Sequence, residues 1–260
     1  MRFASLASGS SGNCLVAEAH DMACATRVLV DCGLNLRDTE RRLARAGLEP
    51  SDIDAILVTH EHGDHAGCVF DFAAAHDVRV YLTRGTLRAL KAEGKVHDGL
   101  KCELIRGEQK VAIGAMEVLP FTVPHDAAEP VQYILSDGAA KLGVLTDIGI
   151  STRHVEQTLG GLSALVLECN YDRDMLWSGG YPKWLKERIG GPFGHLDNRE
   201  AARLLGGLER SKLKHIIGAH LSQQNNKPEH ARSALAAAMN CSEDWIGLAT
   251  QEDGFDWREA

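Results

Sequence analysis

The stretch LVTHEHGDHAG, residues 57–67, constrains this chain more than any other. The apolar run AILV at 55–58 reads as a buried strand. Directly after it stand His60, Glu61, His62, Asp64 and His65, with only Gly63 between them. In an extended segment, residues two apart point the same way, so His60 and His62 converge on one point. A turn into a helix at 64–66 sends Asp64 and His65 toward a second point. Two points served by imidazoles and a carboxylate suit zinc, manganese or iron. The competing reading is a polar helix start with Asp64 as its N-cap and the histidines on the surface. Three histidines and an aspartate at this spacing, at a strand end, favour the metal site over that reading.

The rest of the chain supplies strands and helices in a mixed order. Strands are expected at 2–8, 14–19 and 27–33, with the turn SGSSGN between the first two. A helix follows from Asn35 to Ala46 and stops near Gly47. After the central strand come a helix from His65 to His76, the strand RVYLT and the helix GTLRALKAEG. Four strands are expected at 110–113, 115–123, 130–136 and 141–146. STRHVEQTLGGL reads as a helix with Ser151 as N-cap. A strand at 164–169, helices near 182–189, 198–208 and 228–239, the strand HIIGAH and two closing strands complete the pattern. Two similar halves of strands followed by helices predict a layered α/β or α+β sandwich.

THEHGDH resembles the T-H-x-H-x-D-H motif of the metallo-β-lactamase-fold hydrolases. The resemblance implies a four-layered αβ/βα sandwich built from one domain over residues 1–260, with a metal site where the two sheets meet. The family's other motifs have counterparts in order, each at the end of a strand-like run. Asp31 in VLVDCG matches a supporting aspartate, His125 in TVPHD a ligand, Asp147 in VLTDIG the bridging aspartate and His220 in IIGAHLS the last ligand. The implied arrangement has His60, His62 and His125 on one divalent metal ion, Asp64, His65 and His220 on a second, and Asp147 between them. Two such cations generate a nucleophile from water near neutral pH.

Three further stretches bear on the reaction. LASGSSGNC at 6–14 is a tight turn near a sheet end. LECNYD at 167–172 puts Glu168 at the end of an apolar strand, where a carboxylate is costly without a partner. GPFGHLDN at 191–198 puts His195 just before a helix capped by Asp197 or Asn198. With AHLSQQNN at 219–226, these resemble the YycJ/WalJ-type branch, whose members are DNA exonucleases of the 5′-to-3′ kind. The layout is also similar to ribonuclease Z, which implies that His195 protonates the leaving oxygen while Glu168 orients it. Asp64, Glu168 and His195 are therefore the candidate catalytic residues, Asp64 doubling as a ligand. Asp197–Asn198 stand where ribonuclease Z has Ser-Thr, and no long glycine-rich arm is evident, so tRNA maturation is not expected.

Composition narrows the setting. Seven cysteines, odd in number and with no C-x-x-C pair, read as reduced and mostly buried thiols. No apolar run is long enough to span a membrane, and the opening MRFASLASGSSGN is too polar for a signal peptide, so a cytoplasmic protein is expected. The net charge of −8 argues against general attraction to nucleic acid. A local track can still form from Lys183, Lys186 and Arg188 with Tyr181 and Trp184, or from Arg37, Arg41, Arg42 and Arg45; solvated helix faces are an equal reading of both. The expected activity is hydrolysis of phosphodiester bonds in DNA with zinc, manganese or iron. The alternatives are a small-molecule phosphodiesterase of the same fold and a non-catalytic metal-binding protein, the second disfavoured because no ligand position is substituted.

Overall fold

Long apolar runs with little polar alternation form strands that are covered on both faces. The computed structural model describes residues 1–22, 24–97 and 99–260. Its strands are β1 (Arg2–Ala7), β2 (Cys14–His20), β3 (Ala25–Val30), β4 (Ala55–Leu57), β5 (Arg79–Thr83), β6 (Cys102–Ile105), β7 (Val111–Ile113), β8 (Met116–Thr122), β9 (Val131–Ser136), β10 (Lys141–Leu145), β11 (Ala164–Glu168), β12 (His215–Ala219), β13 (Gly247–Leu248) and β14 (Phe255–Glu259). They build two seven-stranded sheets, in the orders β14-β1-β2-β3-β4-β5-β6 and β13-β12-β11-β10-β9-β8-β7. The helices are α1 (Leu36–Arg45), α2 (Gly63–Ala66), α3 (Val69–His76), α4 (Arg84–Ala92), α5 (Arg153–Thr158), α6 (Arg173–Ser178), α7 (Lys183–Ile189), α8 (Asn198–Gly207) and α9 (Pro228–Met239).

Side-chain alternation along each strand sorts the core into three layers. Phe3, Ala17, Val28 and Leu57 face Tyr133, Val144, Val166 and Ile217 between the sheets. Their neighbours Val16, Leu29 and Ile56 pack outward with Leu43, Phe72 and Leu90 of the helices. On the other side Leu145, Leu165 and Ile216 pack with Val155, Leu205 and Leu235. This is the expected αβ/βα sandwich. Strands β3, β4, β5 and β6 run parallel, as do β10, β11, β12 and β13, so their C-terminal ends open along common edges. The sheets are joined there: Val131 N–H donates to Thr59 O at 3.1 Å, and the Tyr133 hydroxyl to Val58 O at 2.6 Å.

Several local expectations need correction. The helix expected from His65 to His76 breaks at Gly67 and Cys68 into α2 and α3. A Cβ on Gly67 would lie 2.4 Å from Gly63 O, so α2 folds back too closely for a side chain there. The N-cap of α5 is Thr152, whose hydroxyl accepts from Val155 N; Ser151 instead donates to Glu156 at 2.9 Å. Strand β6 and helix α6 were not anticipated. Two arginines of the expected α1 cluster are structural: Arg42 donates to Leu6 O and Gln251 O, and Arg45 reaches Asp253, whereas Arg41 pairs with Asp38 on the exposed helix face. All seven cysteines are free, four of them buried. Among the described residues no helix is long and apolar enough to cross a membrane.

Glu18 on β2 is fully buried, and burial alone would raise its pKa. Hydrogen bonds from Arg2, His20 and Arg27, at 3.0, 2.8 and 2.6 Å, outweigh that and bring it to about 2. A depressed carboxylate stabilises the fold above its unfolded pKa, near 4.5, and the contribution disappears as pH falls toward about 2. Glu18→Gln is expected to cost about 2 kcal/mol in urea unfolding at pH 7, a deficit that shrinks below pH 4. Identical unfolding curves at pH 7 would show that the carboxylate contributes nothing.

Candidate metal centre

The common strand edge gathers the predicted residues. Thr59 to Asp64 leave β4 and enter α2; His125 lies between β8 and β9; Asp147 follows β10; Glu168 ends β11; His220 follows β12. His60 Nε2 and His125 Nε2 lie 3.0 and 3.3 Å from His62 Nδ1. A second group is close by. Asp64 Oδ2 is 3.3 Å from His220 Nε2 and 3.5 Å from His65 Nε2, and Asp147 Oδ2 is 2.8 Å from His65 Nε2. Asp64, His65 and His220 meet in one cluster, and His60, His65 and Asp147 in another that joins the two groups. All seven predicted ligands thus come together.

The outer ring atoms show which nitrogens face inward. His65 Nδ1 donates to Asp31 Oδ2 at 2.7 Å. His125 Nδ1 donates to Gly194 O at 3.1 Å. Thr59 Oγ1 donates to Asp31 and lies 3.0 Å from His60 Nδ1, from which it accepts. The Nε2 lone pairs of His60, His65 and His125 are therefore turned toward one another and toward carboxylate oxygens. Asp147 Oδ2 is buried and makes no hydrogen bond of good geometry, with His65 Nε2 its near neighbour at 2.8 Å. Crowded ring nitrogens and a buried, poorly satisfied carboxylate oxygen are the donor set that a divalent cation satisfies. The residues present fit divalent metal.

The electrostatics agree. Burial, reinforced by neighbouring His65, holds His60 well below the ordinary imidazole pKa, and burial also lowers His125, so both offer neutral nitrogen. Around His65 burial is outweighed by Asp147, Asp31 and Asp64, which raise its pKa; the same negative field attracts a cation.

Glu168 and His195 adjoin this cluster and group with Asp147 and His220: His195 Nδ1 lies 3.3 Å from Asp147 Oδ1, and His220 Nδ1 lies 3.5 Å from Glu168 Oε1. Glu168 is 0% exposed. Its Oε1 accepts from His195 Nδ1 at 2.7 Å, and its Oε2 accepts from the backbone of Ile148 and Leu196, each at 3.0 Å. Every strong donor that a buried carboxylate requires is present. With Nδ1 engaged, Nε2 is the nitrogen His195 offers to the cleft. Burial alone would lower the His195 pKa, but the charge and hydrogen bond of Glu168 raise it. The cleft encloses about 360 Å³ and is lined by His62, Asp64, Asp147, His195 and His220, together with Ser10, Asp126 and Arg188.

Some supporting residues were not legible as such. The SGSSGN turn braces the site: Asn13 N–H donates to Asp64 O at 2.7 Å, its amide lies 3.1 Å from His65 Nε2, and Ser8 Oγ accepts from His220 N at 2.8 Å. Asn170 holds His220, its amide 3.0 Å from both Nδ1 and the carbonyl oxygen. Gln132 clamps Thr146 on both sides, fixing the residue before Asp147. Glu61 accepts from Ala128 N at 2.7 Å and pins the loop after His125. Asp31, Asp147 and His220 all adopt left-handed backbone, with φ of 62°, 50° and 53°. Non-glycine residues in that region are strained and persist where surrounding contacts enforce them.

Comparison with known proteins places this geometry. The chain matches the model of the beta-lactamase superfamily domain over residues 26–216. It is 36% identical over 240 residues to the exodeoxyribonuclease YycJ of Bacillus anthracis, covering 92% of this chain and 89% of that one. It is 31% identical over 250 residues to the exodeoxyribonuclease WalJ of Streptococcus pneumoniae, covering 95% of this chain and 91% of that one. Among solved structures, the metallo-beta-lactamase fold protein YhfI from Bacillus subtilis superposes with a TM-score of 0.77 at 14% identity, over 100% of this chain and 99% of that chain, and shares the fold.

Divalent metal holds opposed groups together, so its removal is expected to loosen the fold. Chelation should lower the melting temperature by about 5 °C or more, reversed by adding metal back. Asp147→Ala should reduce the metal bound per chain relative to the unaltered protein, read by elemental analysis. A melting temperature indifferent to chelator would mean that these residues do not bind metal in the folded protein.

Proposed function

The chain belongs to the metallo-β-lactamase-fold superfamily, in its YycJ-type branch, and from that membership we propose that this metal-dependent nuclease is a DNA exonuclease working from the 5′ end. The observation that carries the reading is the Glu168–His195 pair, held beside the ligand cluster with its free nitrogen toward the cleft. A ligand cluster alone would serve many reactions on this fold. A buried glutamate orienting a histidine suits a step in which a poor leaving group must receive a proton, as the sugar oxygen of a phosphodiester must.

In this reading His60, His62 and His125 would hold one divalent ion and Asp64, His65 and His220 another, with Asp147 within reach of both groups. Nitrogen-rich donors with two carboxylates favour zinc or manganese, with iron a third candidate. When bound, two such ions supply a nucleophile derived from water near neutral pH and neutralise charge on the phosphoryl oxygens. The chain's own residues do the rest. Asp31 and Thr59 fix the rings of His65 and His60 through their Nδ1 atoms. Glu168 keeps His195 oriented and favours its protonated form, and His195 Nε2 gives its proton to the leaving oxygen. The backbone donors of Ile148 and Leu196 keep Glu168 in place and ionised.

The test combines substrates whose leaving groups differ. The metal-loaded protein is assayed with 5′-phosphorylated DNA strands and with bis-p-nitrophenyl phosphate, whose leaving group departs without a proton. His195→Ala is expected to lose about 10²–10⁴ in rate on DNA and far less on the activated ester. Glu168→Gln should follow the same pattern. Equal losses on both substrates would remove the acid role. Hydrolysis of the small ester with no action on DNA would overturn the nuclease reading.

A further inference from the structure

The segment between Glu168 and His195 carries aromatic side chains that the core does not use. Trp177 is 49% exposed, Trp184 65% and Phe193 58%. Large exposed aromatics on one short segment mark an interaction surface. Their placement relative to the cleft follows from their neighbours. Trp184 lies four residues before Arg188 on α7, so the two share a helix face. Arg188 lines the cleft, and its Nε is 2.7 Å from Asp126, another lining residue. Phe193 accepts from Asp126 N–H through its carbonyl at 3.0 Å, so it stands beside the same point. The Trp177 ring lies against Gly190, where a Cβ would sit 3.5 Å from it. The three aromatic residues thus belong to the segment that borders the cleft at Arg188, Ile189 and Gly194, without lining it themselves, and make an outer rim there.

The cations of this segment are largely engaged. Lys186 turns inward to Trp177 O and Gly179 O at 2.8 and 2.7 Å. Lys183 stands 3.5 Å from Glu187, and Arg188 gives its Nε to Asp126 while the rest of its guanidinium stays half-exposed at the cleft, able to take one phosphate. A duplex, whose bases are stacked on each other, offers a protein mainly phosphate, and this rim has little free positive charge for it. An unpaired strand offers base faces, and aromatic rings bind those without regard to sequence.

We propose that this rim is a stacking platform for an unpaired DNA strand, with bases on Phe193 and Trp184 and one phosphate on Arg188, and that it feeds a single-stranded end into the cleft. The proposal rests on the nuclease reading for the direction of feed. The other occupant such a surface could have is a second copy of the chain.

The experiment uses the metal-loaded protein and a non-cleavable phosphorothioate thymidine oligomer of about ten nucleotides, free or paired in a duplex, followed by tryptophan fluorescence. The free strand is expected to quench the fluorescence and to bind about tenfold or more tighter than the duplex. Its affinity should fall only shallowly with salt, with a log–log slope of about −1, because about one phosphate is contacted. Trp184→Ala and Phe193→Ala should each weaken binding about tenfold, and Phe193→Trp should retain it. Tighter binding of the duplex, wild-type affinity in both alanine variants, or a concentration-dependent dimer abolished by Trp184→Ala would each overturn the platform. Strand binding as expected by a protein that cleaves no phosphodiester would leave the platform standing and remove the nuclease reading instead.

Discussion

The buried carboxylate of Asp31 is the interaction on which the site depends. It lies at the end of β3 and accepts from the backbone N–H of Thr59, the hydroxyl of Thr59 and Nδ1 of His65. Its own N–H donates to Leu57 O at 2.8 Å. Asp31 thus joins β3, β4 and α2 through one group. Through Thr59 it also sets the ring of His60, so one residue that points away from the cleft decides the orientation of two that point into it. Its left-handed backbone is the strain that permits this, and buried charged contacts of this kind are strong enough to hold a strained residue in place.

The same economy governs the other half of the site. Glu168 sits on β11, between β10 and β12, and is hydrogen-bonded to the residue after Asp147 and to the residue after His195. The loop that carries His195 reaches it only because glycines allow close approach. A Cβ on Gly149 would lie 2.2 Å from Pro192 O, and one on Gly194 would lie 2.1 Å from Ile189 O. His195 is therefore placed by packing on both sides, and in the proposed acid role it would need no reorganisation at the moment of reaction.

What the sequence revealed follows from how local each signal is. His60, His62, Asp64 and His65 are four residues of one strand exit, and their spacing alone suggests two convergent points. Asp31, His125, Asp147 and His220 are far apart in the chain, yet each follows an apolar run, so strand ends served as markers. Glu168 was visible because a carboxylate ending such a run needs a partner. Asn13, Asn170 and Gln132 carry no such mark: their work is done by amides across 52, 50 and 14 residues of sequence. The break between α2 and α3 depends on the approach of Gly67 to Gly63 O, and Arg42 of α1 is consumed by carbonyls at residues 6 and 251. Both are tertiary facts that helical periodicity cannot contain.

The acidic balance of the chain bears on how it meets a polyanion. Long-range attraction needs unpaired cations arrayed in a band, and the basic residues near the cleft are instead spent on carbonyls and carboxylates. Two kinds of attraction remain at short range. Divalent ions within the ligand cluster would concentrate positive charge at the scissile phosphate alone, and the exposed rings of the neighbouring rim would act on base faces. A protein built this way gains little from phosphates away from the reaction point. Under the exonuclease reading it would discriminate by the presence of a reachable strand end, which a uniformly basic surface would blur by holding internal duplex equally well.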